Sequence, residues 1–267
     1  MDFSDDQIER YARHIILRDI GGAGQQALLN AKVLVVGAGG LGSPLLMYLA
    51  AAGVGTIGII DDDEVSLSNL QRQILHTTSD IGRQKVDSSS ESIAALNPDV
   101  KIITYDDRLD ATNALDIISQ YDIVADGSDN FATRFLVNDA CYLAKVPLVF
   151  AAIGQFEGQL STFKAFAGDA HPCYRCLFPS PPADGVVPSC AEAGVLGALA
   201  GVMGSMQGVE VIKEIVDIGQ TMAGRLLIYD ALSTRLRTIR LKPDPDCALC
   251  GPQADICDLS AHLPAAA

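Results

Sequence analysis

A glycine-rich turn near the N-terminus is the first pattern with chemical meaning. The turn, residues 37–42 (GAGGLG), follows an apolar run over 32–37 and precedes a helical pattern over 43–52. Glycines let backbone N–H groups approach a phosphate, and the N-terminus of a helix adds a favourable dipole. The four glycines of the turn are therefore predicted to contact a nucleotide: Gly37, Gly39, Gly40 and Gly42.

Asp61 ends the next apolar run, residues 56–61 (TIGIID). It lies at the spacing expected for an acid that hydrogen-bonds a ribose hydroxyl. Taken alone, the turn and this acid indicate only a nucleotide, with NAD as the default ligand. A tight strand-to-helix turn without any ligand is the structural alternative.

The segment after Asp61 favours a triphosphate. Asn69, Arg72 and Lys85 follow the acid at a position where a dehydrogenase does not need them. Such side chains neutralise phosphates as pyrophosphate leaves. Each of them taken singly is more simply a solvated surface residue, so the prediction depends on their clustering at the carboxyl edge of one sheet. Ser68 joins them in the predicted nucleotide-binding set.

A short acidic motif, residues 126–130 (DGSDN), follows another apolar run. Mg²⁺ normally accompanies ATP and is held by one or two carboxylates, which makes Asp129 a candidate ligand. The alternative is that Asp129 caps a helix beginning near Phe131. Both interpretations stay open, and Asn130 is grouped with the nucleotide-binding residues.

Seven cysteines are present, and four form two CxxC pairs. Two residues between thiolates allow both to bind one tetrahedral Zn²⁺, and two such pairs complete a closed structural site. A redox CxxC is the competing interpretation, but the equal spacing of the two pairs favours zinc. The predicted zinc ligands are Cys173, Cys176, Cys247 and Cys250.

The other three cysteines are predicted to differ in role. Cys190 lies beside a proline-rich loop over 179–188 and belongs to neither pair. Cys141 is expected in the core and Cys257 in a C-terminal tail. A disulfide framework is not expected in a chain that we predict to be cytoplasmic.

The elements that must position these residues alternate between strands and helices. Strands are predicted over 32–37, 56–61, 101–106, 123–126 and 147–150, with helices over 43–52, 82–96, 113–120 and 130–144. This alternation predicts an α/β fold with a Rossmann-like, doubly wound, mostly parallel sheet. Strands over 159–166, 225–230 and 235–242 are expected to form an antiparallel extension around a long helix over 193–218.

Three regions are expected along the 267 residues: an N-terminal helical segment over 1–30 that begins near Ser4, the nucleotide-binding domain with its extension over 31–252, and a tail over 253–267 that frays from residue 258.

Apolar residues make up 49% of the chain and charged residues 19%, which excludes a disordered protein. The net charge of −14 excludes nucleic-acid binding. No signal peptide is predicted, and the uncharged stretches over 33–60 and 193–209 are expected to be buried and not membrane-spanning.

Several motifs in order resemble one known family. RYARHIIL over 10–17, VVGAGGLGSP, DDDEVSLSNLQRQ, GSDN, PCYRC and SCAEAGV together resemble the ThiF/MoeB/HesA family, bacterial relatives of the ubiquitin-activating enzymes. The similarity extends from about residue 8 to about residue 252. A series of motifs in one order is far more specific than any single motif.

The resemblance implies an ATP-dependent adenylyltransferase that acts on the C-terminal glycine of a small ubiquitin-like sulfur carrier ending in Gly-Gly. It implies that Gly40 and Asp61 contact the nucleotide, that Asn69, Arg72 and Lys85 hold phosphates and that Asp129 holds magnesium. Arg13 matches an arginine that reaches the phosphates of the other subunit in a homodimer, to which the helix near Gly201 is expected to contribute. Cys190 matches a cysteine that in some relatives links covalently to the carrier, and a free, partly buried thiol is the alternative.

The motifs look closest to the MoeB-like branch, which favours a carrier of the MoaD type that serves molybdopterin synthase. A ThiS-like or tRNA-thiolation carrier is the alternative within the family. We expect a separate protein to donate the sulfur, because the chain stops soon after the second cysteine pair. An NAD-dependent oxidoreductase and a non-catalytic nucleotide-binding protein are the alternatives outside the family.

Overall fold

Eight strands form one sheet in the described part of the chain: β1 Lys32–Val36, β2 Thr56–Ile60, β3 Lys101–Tyr105, β4 Ile123–Asp126, β5 Leu148–Ile153, β6 Glu157–Phe163, β7 Arg225–Asp230 and β8 Arg235–Arg240. The computed structural model describes residues 3–168, 170–183 and 190–263, with only the backbone for residues 190 and 191. The strand order is β3-β2-β1-β4-β5-β6-β7-β8.

The first five strands in this order run parallel, and β6, β7 and β8 join antiparallel. The doubly wound sheet with an antiparallel extension is thereby confirmed. The chain order reverses between β1 and β4. In open sheets of this kind, ligands bind at such a reversal, beyond the carboxyl ends of the strands.

Helices cover both faces of the parallel part. Their bounds are α1 Asp5–Ile15, α2 Gly21–Asn30, α3 Gly42–Ala52, α4 Lys85–Leu96, α5 Ala114–Ile118, α6 Phe131–Ala144, α7 Tyr174–Leu177, α8 Cys190–Ala193 and α9 Gly197–Val216. Ser4 caps α1 in a reciprocal capping box, which confirms the predicted helix start.

Two apolar cores lie on opposite faces of the sheet. Val33 and Val35 of β1 pack with α3, α4 and α9 on one face, while Leu34 and Val36 pack with α5 and α6 on the other. Successive side chains of a strand point to opposite faces. The continuous apolar sequence of β1 is therefore explained by burial on both sides, as expected for a central parallel strand.

The structure shifts some predicted boundaries. The helix predicted from residue 82 begins at Lys85, because Gly82 adopts a φ of +85° and Gln84 pairs with Glu64 in an isolated bridge. The helix predicted over 193–218 begins only at Gly197 and ends at Val216, because Gly194 has a φ of +78° and separates it from the short helix α8. β5 continues to Ile153 because β6 pairs with it along that length.

The predicted fraying of the C-terminal tail is wrong for residues 258–263. Leu259 is buried in the second core, and the Nε2 atom of His262 lies 2.7 Å from the carboxylate of Asp139. The second core and the buried carboxylate of Asp139 hold this segment in place. Both are formed by residues distant in sequence, so the local sequence of the tail does not reveal them. In the part of the chain described here, no helix has the length and apolarity needed to cross a bilayer.

Candidate functional site

The glycine-rich turn connects the carboxyl end of β1 to the N-terminus of α3. Gly37 has a φ of +91°, a conformation that side chains disfavour. A Cβ atom at Gly42 would collide with the carbonyl oxygen of Gly37, so the close approach of helix to strand requires glycine there. The turn therefore presents backbone N–H groups and a helix N-terminus at the edge of the sheet.

Asp61 follows β2 and lies beside this turn. Its carboxylate accepts hydrogen bonds from the N–H of Ala38 at 2.8 Å and the N–H of Asp63 at 3.0 Å. Burial raises the pKa of Asp61, and the nearby Lys85, whose Nζ lies 3.7 Å away, opposes that shift. The acid predicted to bind ribose is thus positioned by the turn that is predicted to bind phosphate.

A cleft of about 280 Å³ opens where β1, β2 and β4 end. It brings together the turn, Asp61 and cations from four separate segments of the chain. The charged residues that line it are Asp61, Asp62, Asp63, Arg72, Lys85, Asp107, Arg108, Asp129 and Arg134. The predicted convergence of a glycine turn, an acid and cationic side chains is therefore present at one sheet edge.

Lys85 and Arg72 both line the cleft. Lys85 is the first residue of α4 and is only 4% exposed, and its Nζ donates to the Asp63 carboxylate at 2.6 Å. The Arg72 guanidinium donates to the carbonyl of Ser68 at 3.0 Å, and its aliphatic part lies beside Gly40. These two side chains border the space between the turn and α4.

Asn69 and Ser68 are not among the residues that line the cleft. The side-chain oxygen of Asn69 accepts the N–H of Ser66 at 3.1 Å, which stabilises a short 3₁₀ helix over Leu67–Asn69. The Ser68 hydroxyl lies 2.9 Å from that of Ser66. In this structure both side chains stabilise the loop that carries Arg72, and their contact with nucleotide stays a prediction.

Asp129, in the acidic motif after β4, had two possible roles from sequence: a ligand of Mg²⁺ or the N-cap of α6. Asn130 is the N-cap of α6, and its side chain accepts the N–H of Thr133 at 2.9 Å. Asp129 is therefore not needed as the cap. It is exposed and lines the cleft, as does Asn130.

Arg13 lies far from the cleft of its own chain. Tyr11, two residues earlier on α1, packs against Gly53 and accepts a hydrogen bond from Asn97 at 2.9 Å. Gly53 and Asn97 are the C-caps of α3 and α4, whose N-termini border the cleft. The 11 residues of α3 span about 16 Å, so α1 lies at the opposite edge of the sheet.

Sequence reasoning missed Arg134, a 9% exposed cation that lines the cleft. Its guanidinium donates to the carbonyl of Ser128 at 3.1 Å and lies over the rings of Phe131 and Phe150 at 5.3 and 5.9 Å. It also borders a second, aromatic cavity of about 240 Å³. The available signal was its position four residues after the N-cap Asn130, which places Arg134 near the N-terminus of α6 and therefore near the carboxyl edge of the sheet. Arg108 was also missed, because it lies in a loop without a pattern.

The four paired cysteines meet in one cluster. Their sulfur–sulfur distances are 3.9 Å for 173–176, 3.5 Å for 173–247, 3.4 Å for 176–250 and 3.5 Å for 173–250. A tetrahedral zinc with Zn–S bonds of about 2.3 Å requires sulfurs about 3.8 Å apart. A disulfide needs about 2.05 Å, so the thiols are separate and suited to zinc.

The remaining cysteines are placed as follows. Cys141 is buried, as predicted for a core residue, and Cys257 is exposed. Cys190 begins α8, and its side chain lies outside the described part of the structure. The preceding residues 184–189 of the proline-rich loop also lie outside it.

Comparison with known proteins identifies a family over most of the chain. The sequence model of the ThiF family matches residues 11–249. The chain is 49% identical to the sulfur carrier protein adenylyltransferase of Thermus thermophilus, over 94% of this chain and 93% of that protein. It is 46% identical to the SAMP-activating enzyme E1 of Haloferax volcanii, over 92% and 89%.

A longer relative and a solved structure complete the comparison. The probable adenylyltransferase/sulfurtransferase MoeZ of Mycobacterium tuberculosis is 53% identical over 91% of this chain, which spans 62% of that protein's length. A crystal structure of E. coli MccB with MccA-N7isoASN superimposes with a TM-score of 0.80 at 22% identity, covering 92% of this chain and 76% of that one. At that identity the structural match shows a shared fold.

Proposed function

The chain belongs to the ThiF family, and from this premise we propose that it uses MgATP to adenylate the C-terminal glycine of a small ubiquitin-like sulfur-carrier protein. The observation that carries the proposal is the cleft itself. It joins a glycine turn, a buried acid and the cations Arg72, Lys85 and Arg134 at the carboxyl edge of the sheet. A dinucleotide site does not need those cations.

The nucleotide is proposed to lie along this edge. Asp61 hydrogen-bonds the ribose, and the N–H groups of the turn and of the α3 N-terminus bind phosphate. Arg72 and Lys85 neutralise the phosphates as negative charge moves onto the departing pyrophosphate. Arg134 is added to this set because it is a buried cation at the junction of the two cavities.

The proposed reaction demands little acid–base chemistry from the protein. A carboxylate oxygen of the carrier attacks the α-phosphorus of ATP, and the bond from that phosphorus to the bridging oxygen of pyrophosphate breaks. The nucleophile is already ionised at neutral pH. The residues of the cleft therefore contribute position and charge neutralisation, as in other phosphoryl-type transfers.

Magnesium is proposed to bind at Asp129. This carboxylate fits a divalent cation because it lines the cleft and leaves the capping of α6 to Asn130. A bound Mg²⁺ would supply positive charge to the phosphate oxygens. Asp129 itself would hold the ion close to the phosphates that Arg72 and Lys85 contact.

Zinc is proposed at the four-cysteine cluster. The sulfur spacing fits a closed tetrahedral site with no open position for a substrate. The site would connect α7 to the segment after β8. A site of four thiolates needs reduced cysteines, which the cytoplasm maintains, so a cytoplasmic location is proposed together with the zinc site.

A homodimer is proposed because the family resemblance assigns Arg13 a contact with the phosphates, and Arg13 lies at the wrong edge of the sheet to reach the cleft of its own chain. Exposed apolar side chains support an interface formed by α3, α9 and the loop after β2. They include Tyr48 and Val209, which flank Gly208 at the contact of α3 with α9, and Leu67 and Ile74 of the loop. Such side chains together are typical of interaction surfaces.

The carrier is proposed to be MoaD-like, with a separate sulfur donor. A ThiS-like or tRNA-thiolation carrier is the alternative, since the residues of the cleft act on the terminal carboxylate that these carriers share. Cys190 as the site of a covalent link to the carrier stays a prediction from the family resemblance. Cys190 is the first residue of α8, the short helix that precedes the N-terminus of α9.

The direct test mixes the protein with MgATP and each candidate carrier ending in Gly-Gly. Mass spectrometry should detect the adenylated carrier, and exchange of labelled pyrophosphate into ATP should require the carrier. A carrier without its last glycine is the matched control. Binding of NAD in preference to ATP, with no adenylated product from any carrier, would replace this proposal with the oxidoreductase alternative.

A further inference from the structure

His76 is a buried histidine directly behind the glycine turn. It is 5% exposed, and both ring nitrogens have partners. Nε2 lies 3.1 Å from the carbonyl oxygen of Ala38, and Nδ1 lies 2.9 Å from the hydroxyl of Ser88. The ring therefore connects the glycine turn to α4, the helix that begins with Lys85.

The partners determine where the ring proton lies. A carbonyl oxygen only accepts, so Nε2 carries the hydrogen and donates to Ala38. The Ser88 hydroxyl can then donate to Nδ1, which leaves the ring neutral. Burial lowers the pKa of His76, which agrees with a neutral ring.

The Ala38 peptide groups are held on two sides. Asp61 accepts the Ala38 N–H at 2.8 Å, and His76 donates to the Ala38 carbonyl. The peptide bond from Ala38 to Gly39 is trans, so its C=O and N–H point in opposite directions. Because the carbonyl is directed at buried His76, the Gly39 N–H is directed away from it, and Gly39 lines the cleft.

We propose that His76 is a positioning residue that aims the Gly39 N–H at the nucleotide phosphates by holding the Ala38 carbonyl from behind. The inference rests on the proposed function, since it requires a nucleotide in the cleft. The Ala38 carbonyl sets the ring tautomer, and the contact of Nδ1 with Ser88 connects the ring to α4, so the turn and α4 share one support. His76 itself does not touch the nucleotide.

The test compares two amides at this position. In His76→Gln the amide nitrogen can replace Nε2 and reach Ala38, whereas in His76→Asn the side chain is too short. His76→Asn should weaken ATP binding by about tenfold, the scale of one lost hydrogen bond, and His76→Gln should stay within about threefold. Ser92→Ala is the control, because Ser92 connects α4 to the carbonyl of Leu75 and not to the turn.

Affinity is measured by calorimetry with ATP and Mg²⁺, well below the thermal transition of each variant. A purely structural role would lower Tm in His76→Asn and Ser92→Ala alike without changing ATP affinity. Equal affinity in His76→Asn and wild type overturns the proposal, and so does an equal loss of affinity in His76→Asn and His76→Gln.

A second measurement uses the unmodified protein. Nitrogen NMR of the labelled His76 ring should show the hydrogen on Nε2, and a hydrogen on Nδ1 alone overturns the inference even where a variant does not fold. Wild-type protein that binds ATP but adenylates no carrier contradicts only the proposed function. Unchanged ATP affinity in His76→Asn contradicts only the role of His76, and wild-type protein that binds no ATP contradicts both.

Discussion

Lys85 donates a hydrogen bond from its Nζ to the Asp63 carboxylate at 2.6 Å, and both residues line the cleft. Lys85 is buried, while the Asp63 side chain is 68% exposed. The cation proposed to bind phosphate is therefore paired with an acid in this structure. The Asp63 carboxylate occupies one of the three Nζ donors and offsets its positive charge, so Asp63 is expected to weaken the attraction of Lys85 for the nucleotide phosphates.

Replacement of Asp63 tests this effect. Asp63→Asn should lower the KM for ATP by up to about fivefold, since pairs with an exposed partner contribute up to about 1 kcal/mol. Asp255→Asn, a change at another exposed acid, is the control for net charge. An unchanged or higher KM in Asp63→Asn alone would show that the pair does not oppose nucleotide binding.

Removal of Lys85 should have the opposite effect. Lys85→Met should reduce ATP–pyrophosphate exchange by about 100-fold or more, the scale seen when one group that stabilises developing charge is lost. Lys101→Met is the matched control, because Lys101 begins β3 at the edge opposite the cleft. Circular dichroism should show folded protein in both. Near-normal exchange in Lys85→Met would remove this residue from the site.

The position of Arg13 predicts recovery of activity in mixed dimers. Arg13→Ala and Lys85→Met should each be inactive alone. After unfolding and refolding together, a dimer with one chain of each kind has one site with both wild-type groups. Random mixing in a twofold dimer should then restore about a quarter of wild-type exchange. No recovery in dimers shown to be mixed would mean that Arg13 does not act across an interface.

Zinc should be bound in a ratio of one per chain and should stabilise the fold. Cys250→Ser should reduce bound zinc, measured by mass spectrometry of the metal, and lower Tm by roughly 10 °C, as a loss of about 3 kcal/mol would in a chain of this size. Cys257→Ser removes an exposed cysteine outside the cluster and should retain the metal. Retention of zinc by Cys250→Ser would contradict the four-thiolate site.

The pH dependence of stability should report on His76. Burial lowers its pKa and the hydrogen bond to Ala38 opposes that shift, while Lys85 adds to the lowering and Asp61 and Asp80 oppose it. The folded pKa thus lies below the unfolded value of about 6.5. The stabilisation by neutral His76 is complete above that value and is lost as the pH falls through the folded pKa.

Denaturant titrations of wild type and His76→Gln test this dependence. The difference in their free energies of unfolding should be largest above pH 7 and should shrink toward pH 5. Since the cysteines and carboxylates are common to both proteins, their titration cancels in the difference. A difference that grows as the pH falls would mean that folding raises the pKa of His76, contrary to this prediction.

The sequence by itself determined the fold class, the glycine turn and the spacing within the two CxxC pairs. Buried parallel strands need continuous apolar runs, the turn needs Gly37 and Gly42 for conformation and space, and two CxxC pairs have a spacing that zinc requires. Each of these signals extends over a few residues. Local geometry decides the strands, the turn and the spacing within each cysteine pair, so these can be predicted without knowledge of distant contacts.

Only the tertiary structure decided which side chains face the cleft. Asn69 follows Asp61 as closely as Arg72 does, yet its amide stabilises a 3₁₀ turn while Arg72 lines the cleft. Arg134 enters the cleft from α6, and His262 binds Asp139 across the chain. The direction of a side chain depends on loop conformation and on contacts between residues far apart in sequence, and no local pattern encodes either.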